Sequence, residues 1–208
     1  MASGNDEEKQ ARILDFWFGD LGEGDVPPED LSRMWWAKDQ KTDDHIRNNF
    51  EPGLVNAREG ELREWEKTPR GTLALIILLD QFSRNIYRDT PGAFSQDAQA
   101  LKIAANGIEK KGFDKGLHPV MRVFFYMPLM HSENLEVQER SIALFRSLER
   151  DFPSPPELAK MLSNNRDYAE RHYAIIERFG RYPHRNRILG RESSPEEIEF
   201  LKQPGSSF

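Results

Sequence analysis

The chain has 208 residues, a formal net charge of −6, 31% charged residues and no cysteine. That length can bury a sizeable core as one large domain. The acidic balance argues against bulk nucleic-acid binding, and the missing cysteine removes disulfides, zinc-thiolate sites and thiol nucleophiles.

The first ten residues are polar and acidic, unlike a signal or transit peptide. The longest apolar run, Leu73–Leu79, is far too short for a bilayer. The expected setting is therefore cytoplasmic, with no membrane and no nucleic acid among the partners. Aromatic residues at 11% are too many for a disordered chain.

Strand-like alternation is nearly absent and helical spacing recurs throughout. A first helix is expected over 7–18, with Leu14, Trp17 and Phe18 on one face and Gly19 just past its end. A Gly- and Pro-rich loop follows, then a short helix at Met34, Trp35 and Trp36. Thr42 is placed to cap a helix carrying Ile46, Phe50 and Leu54, with a break or kink at Pro52. Gly60–Trp65 leads into a central helix over about 71–87.

Ser95 is expected to cap the next helix, with Ala98, Leu101, Ala105 and Ile108 inward and Gly112 closing it. Pro119 opens an aromatic helix that Pro128 ends or bends. A helix near 134–150 follows, with Ile142, Phe145 and Leu148 inward. The PSPP run at 153–156 reads as a rigid spacer. Ser163–Gly180 reads as a helix and Arg181–Arg191 as a loop. Ser194-Pro195-Glu196-Glu197 joins a capping box to a proline at the first helical position. The expectation is an all-α domain over 7–202 of about eight or nine antiparallel helices, with loose termini at 1–6 and 203–208. No fixed-period repeat is visible.

Three polar clusters carry candidate chemistry. The first is Asp80, Gln81, Arg84, Asn85 and Arg88 in LALIILLDQFSRNIYR. At about 100° per residue, Asp80 and Arg84 continue the apolar stripe of Leu73 and Ile77. Charges on a core-facing stripe must pair or face a polar pocket. The plainer reading is a buried network that locks helices together. The functional one has Arg84, with Asn85 or Gln81, donating to a ligand carboxylate or phosphate.

The second cluster is His118, Arg122, His131 and Glu133. Arg122 shares a stripe with Phe125, and His131 and Glu133 follow Pro128, where irregular backbone is expected. His131 equally suits a carbonyl freed by that proline. The third is Arg181-Tyr182-Pro183-His184-Arg185-Asn186-Arg187, running on to Arg191. Residues 181–191 hold four arginines and a histidine with no acid, a composition suited to anion capture.

No HxxxH or HExxH spacing, GxSxG motif, phosphate loop or dinucleotide fingerprint occurs. The expectation is thus no metal and no organic cofactor. Trp17, Trp35, Trp36 and Trp65 are read as core.

The stretches ILDFWFGD at 13–20, LALIILLDQFSRNIYR at 73–88, AFSQDAQAL at 93–101, FFYMPLMHSENLEVQ at 124–138 and FGRYPHRNRILGRESSPEE at 179–197 run in one order along nearly the whole chain. In them the chain resembles domain-of-unknown-function family 924. The family pattern usually has proline where this chain has Ser83, and often phenylalanine where it has Tyr182. The resemblance implies a tetratricopeptide-like helical fold and supplies no activity.

The residues lead to one expected cluster of Asp80, Arg84, Arg122, His131 and Arg185. It would bind a small anionic metabolite or a peptide carboxylate through Arg84, Arg122 and Arg185, with Asn85 and Asn186 orienting it. His131 with Glu133 is the acid/base pair of a cofactor-free or metal-assisted hydrolase or lyase, if chemistry occurs. A helical protein–protein interaction module is the rival class, with exposed aromatics such as Trp35, Trp36 or Tyr126 as its mark. Oligomeric state is not legible.

Overall fold

Residues 4–207 are described by a computed structural model, and every regular element among them is helical. The helices are α1 (Gly4–Phe18), α2 (Glu29–Trp36), α3 (Gln40–Glu59), α4 (Pro69–Ile76), α5 (Ser83–Ile86) and α6 (Asp97–Glu109). They continue as α7 (Pro119–Met130), α8 (Leu135–Asp151), α9 (Pro156–Phe179), α10 (Asn186–Leu189) and α11 (Pro195–Leu201). A π-helical stretch, Ile77–Phe82, joins α4 to α5 without a break. The expected central helix is therefore one rod with a widened middle, and the one-turn α10 is the helix not foreseen.

That rod is the axis of the fold. Residues 71–83 are buried on every side, the apolar run Leu73–Leu79 together with the polar Thr72, Asp80, Gln81 and Ser83. One continuous core runs from Ile13 through the rod and Phe124 to Ala169. Trp17, Trp35, Phe82 and Phe124 meet there edge to face, and the Trp35 indole donates to the Trp17 carbonyl at 2.9 Å. Of the four tryptophans expected in the core, Trp36 is 57% exposed. A smaller apolar cluster of Ile175, Ile176 and Tyr182, backed by Phe179 and Phe200, docks α11 against the end of α9.

Several expected boundaries move. The helix α3 passes through Pro52, because the bond that proline removes lies on a face where Asn48 and Pro52 are both exposed. Its cap is Asp39, whose carboxylate accepts from the Thr42 N–H at 2.9 Å, so Thr42 sits one turn inside. Ser95 caps nothing; its hydroxyl returns to the Gly92 carbonyl and α6 starts at Asp97.

The buried face of α6 is Ala100, Ile103, Ala104 and Gly107, rotated from the expected stripe because Gly107 lies against Phe125. Part of the PSPP run becomes the first turn of α9, with Pro156 at its first position, so that helix begins seven residues early. Pro128 sits inside α7, which ends two residues later. The capping box at Ser194 and Glu197 forms as expected. Residues 4–6 belong to α1, and Ser206 is buried and donates to the Leu201 carbonyl. Residues 1–3 and 208 lie outside the described residues.

Candidate functional site

The π stretch sets the geometry of the site. It widens the helix by bonding i to i+5, so the uniform 100° spacing that put Asp80 on the stripe of Leu73 does not hold across it. Asp80 is nonetheless wholly buried. Its Oδ1 lies 2.7 Å from His131 Nδ1 and 3.0 Å from Arg84 Nη1, and Gln81 Nε2 donates to Oδ2 at 2.5 Å.

Arg84 reaches on to Asp97 at 3.0 Å, and Arg185 Nη1 donates to the same carboxylate at 3.0 Å. Arg185 Nη2 donates to the His131 carbonyl at 3.1 Å, and its Cζ lies 4.6 Å from both the Phe94 and the Tyr182 ring centres. Asp80, Arg84, His131 and Arg185 are thus brought together, as the sequence suggested. Two carboxylates oppose two guanidiniums there, and the terminal nitrogens of both arginines are spent on protein oxygens, while Arg185 Nε is buried without a hydrogen-bond partner among the described residues.

Electrostatics follow the burial. Burial alone would raise the Asp80 carboxyl, but Arg84 and His131 outweigh it and hold the group at about 2. His131 is pushed down by burial first and then by Arg84, with Asp80 opposing. It is neutral near pH 7. An ionised Asp80 can only accept, so the His131 proton sits on Nδ1 and Nε2 carries the lone pair. Nε2 makes no hydrogen bond among the described residues. His172 and His184, which flank Tyr182, are lowered by burial to about 3 and about 4.

The expected pairing of His131 with Glu133 does not form. Glu133 turns to Arg191, which holds it from both terminal nitrogens at 2.7 and 2.9 Å, and it also accepts the Tyr182 N–H at 2.8 Å. The carbonyls at the end of α7 are met by neither. Gln138 Nε2 donates to the Met130 and Ser132 carbonyls at 2.6 Å each, and the Tyr182 hydroxyl also donates to Met130.

Other expected members lie apart. Asn85 donates to Asp43, which Arg88 grips from two nitrogens, tying the rod to α3. His118 caps α7, its Nδ1 accepting the Val120 N–H. Asn186 bonds Ser193, Glu197 and Arg191. Arg122 sits nine residues before His131, about 13 Å along the helix axis, and joins Tyr126 instead.

Asp97 and Phe94 are the members that sequence reasoning passed over. The signal for Asp97 was indirect: arginines in an acid-free loop need a carboxylate from elsewhere.

Around Arg122 opens a cleft of about 490 Å³, lined by Asp114, Lys115, Arg122, Tyr126, Leu144, Ser147, Asp151 and Phe152. Arg122 Nε and Nη2 donate to the Tyr126 hydroxyl at 3.2 and 3.1 Å, and that hydroxyl donates to Asp114 Oδ2 at 2.7 Å. The Asp114 and Asp151 carboxylates stop 4.0 Å from Nη2, beyond hydrogen-bond reach. Arg122 Nη1 makes no hydrogen bond among the described residues. A size of 300–1,000 Å³, apolar walls and a few convergent polar groups are what small-molecule sites share.

Among the described residues no group of three or more His, Asp or Glu is placed to hold a metal. Among the described residues no helix is long and apolar enough to cross a membrane.

An all-α chain whose central rod widens around a buried ionic cluster defines the structural class. The chain belongs to the family described as bacterial protein of unknown function (DUF924), which it matches over residues 13–205. It is similar to a solved structure of a protein of unknown function from Agrobacterium tumefaciens, with 34% identity and a TM-score of 0.78. That match covers 94% of this chain and 98% of the other. Comparison with curated proteins gives no match.

Proposed function

We propose that the chain binds a small ligand bearing a carboxylate or phosphate, and that the binding site is the cleft over Arg122. The carrying observation is a buried guanidinium in a ligand-sized cleft, whose only hydrogen-bond acceptor among the described residues is a neutral phenol, its two carboxylate neighbours standing off at 4.0 Å. Arg84 and Arg185, first choices from the sequence, are already neutralised by Asp80 and Asp97. An anion there would have to displace a carboxylate. Arg122 has donors to spare.

A thermal-shift screen with carboxylate and phosphorylated metabolites and short peptides tests this. A ligand at 100 times its dissociation constant should add about 2.7 kcal/mol, readily seen as a raised melting temperature. Arg122→Gln should abolish the shift, and Arg187→Ala, on an exposed residue, should leave it. No shift from any ligand, or shifts that survive Arg122→Gln, would reject the reading.

A second reading is acid/base chemistry at His131, supported by its bond to the buried Asp80 and its uncommitted Nε2. Asp80 rather than Glu133 would then fix the tautomer and steady the imidazolium. His131→Ala retaining full activity on any substrate later found would remove that role. The interaction-module reading has less support, because of its three marker aromatics Tyr126 is fully buried and Trp35 nearly so, leaving Trp36 exposed.

A further inference from the structure

The ligand of the Arg122 cleft can be specified more closely, on the basis of the binding role proposed above. The ionic lining is balanced: Arg122 and Lys115 face Asp114 and Asp151. Both carboxylates stand 4.0 Å from Arg122 Nη2, close enough to repel an incoming anion and too far to satisfy the guanidinium. Asp114 adds a second observation. It is 3% exposed, its Oδ2 accepts a hydrogen bond from the Tyr126 hydroxyl, and its Oδ1 is buried without a hydrogen-bond partner among the described residues. A buried carboxylate oxygen lacking a donor is costly, and native structures rarely leave one so.

A purely anionic ligand would satisfy Arg122 while adding a third negative charge beside two carboxylates. A purely cationic one would meet Asp114 and Asp151 but leave Arg122 as it is and approach Lys115. We infer that the cleft takes an amphoteric ligand, an α-amino acid. Its carboxylate lies toward Arg122 and Lys115, and its ammonium lies toward Asp114 and Asp151. Leu144 and Phe152 form the apolar wall for its side chain. Each charge of such a ligand meets an opposite charge.

Isothermal titration with three matched probes tests this: L-phenylalanine, 3-phenylpropionate, which lacks the ammonium, and 2-phenylethylamine, which lacks the carboxylate. Phenylalanine is expected to bind at least tenfold more tightly than either. Asp151→Asn, a change at a half-exposed side chain, should erase most of its advantage over 3-phenylpropionate. Arg122→Gln should erase its advantage over 2-phenylethylamine. Ser147→Trp, which fills the cleft from its rim, should abolish binding and covers the case in which Arg122→Gln does not fold.

If 3-phenylpropionate binds as tightly as phenylalanine, the amphoteric assignment falls while anion binding stands. If none of the three binds, or if binding survives Ser147→Trp, the amphoteric assignment falls, and the thermal-shift screen with Arg122→Gln decides anion binding separately.

Discussion

Asp80 is a carboxylate without solvent exposure, kept ionised by Arg84, His131 and Gln81. Removing one partner of such a group costs more than the pair contributes, because the survivor stays buried and uncompensated. Arg84→Ala should therefore destabilise the fold by about 3–5 kcal/mol in urea titrations. The double change Asp80→Leu with Arg84→Met should recover part of that loss, since it leaves no lone charge at Asp80. A loss below about 1 kcal/mol in the single variant would mean that Arg84 behaves as a surface arginine. The apolar run before Asp80 made its burial legible in the sequence. That His131, at the end of α7, is its partner was not legible, because Glu133 stands as near in sequence to His131 as any acid does, and only the turn after Met130 sends Glu133 to Arg191.

Elements whose ends carry specific side chains were legible to within a residue or two. Ser194-Pro195 and Pro119 start helices where the sequence says, and Gly19, Gly60 and Gly180 follow helix ends with positive φ. What escaped is the π stretch. Its residues, ILLDQF, are ordinary for a buried α-helix, and the widening is a tertiary accommodation. The close approach at the start of the rod was hidden too. Gly71 reads as a weak point, since alanine at a helix position usually stabilises by up to about 1 kcal/mol. Here an added Cβ would lie 2.3 Å from the Trp65 carbonyl oxygen and 2.8 Å from Thr68 Oγ1, the oxygen that accepts the Gly71 N–H. Gly71→Ala is accordingly expected to destabilise, by about 1–3 kcal/mol as overpacked sites do. Thermal unfolding reads the sign directly, and a raised melting temperature would contradict the close approach.

At the scale of the whole molecule, the packing of α9 and the loop after it against the end of α7 encloses three histidines in one corner. His131, His172 and His184 are all pushed below their ordinary range, by burial first in each case. Asp80, Arg84, Asp97, Arg185, Glu133 and Arg191 surround them, and the arginines add to the downward push on each. No periodicity in the chain announces this convergence, because it joins residues more than forty positions apart. The sign of its effect on stability is fixed by linkage. A histidine neutral in the folded state and protonated in the unfolded one binds fewer protons when folded, so stability falls as pH drops below about 6.5. Each such histidine contributes a slope of about 1.4 kcal/mol per pH unit until its folded value is reached. For His172 that decline continues to about 3, and for His184 to about 4. Asp80 adds a separate loss at still lower pH: its stabilisation is complete above about 3.9 and disappears as pH falls through about 2. Urea unfolding between pH 7 and 5 should therefore show a fall steeper than one histidine alone can produce. His172→Gln should flatten it by about 1.4 kcal/mol per pH unit over the lower part of that range, whatever its effect at pH 7. A slope unchanged by that substitution would show that His172 titrates alike in the folded and unfolded chains, and that this corner admits water.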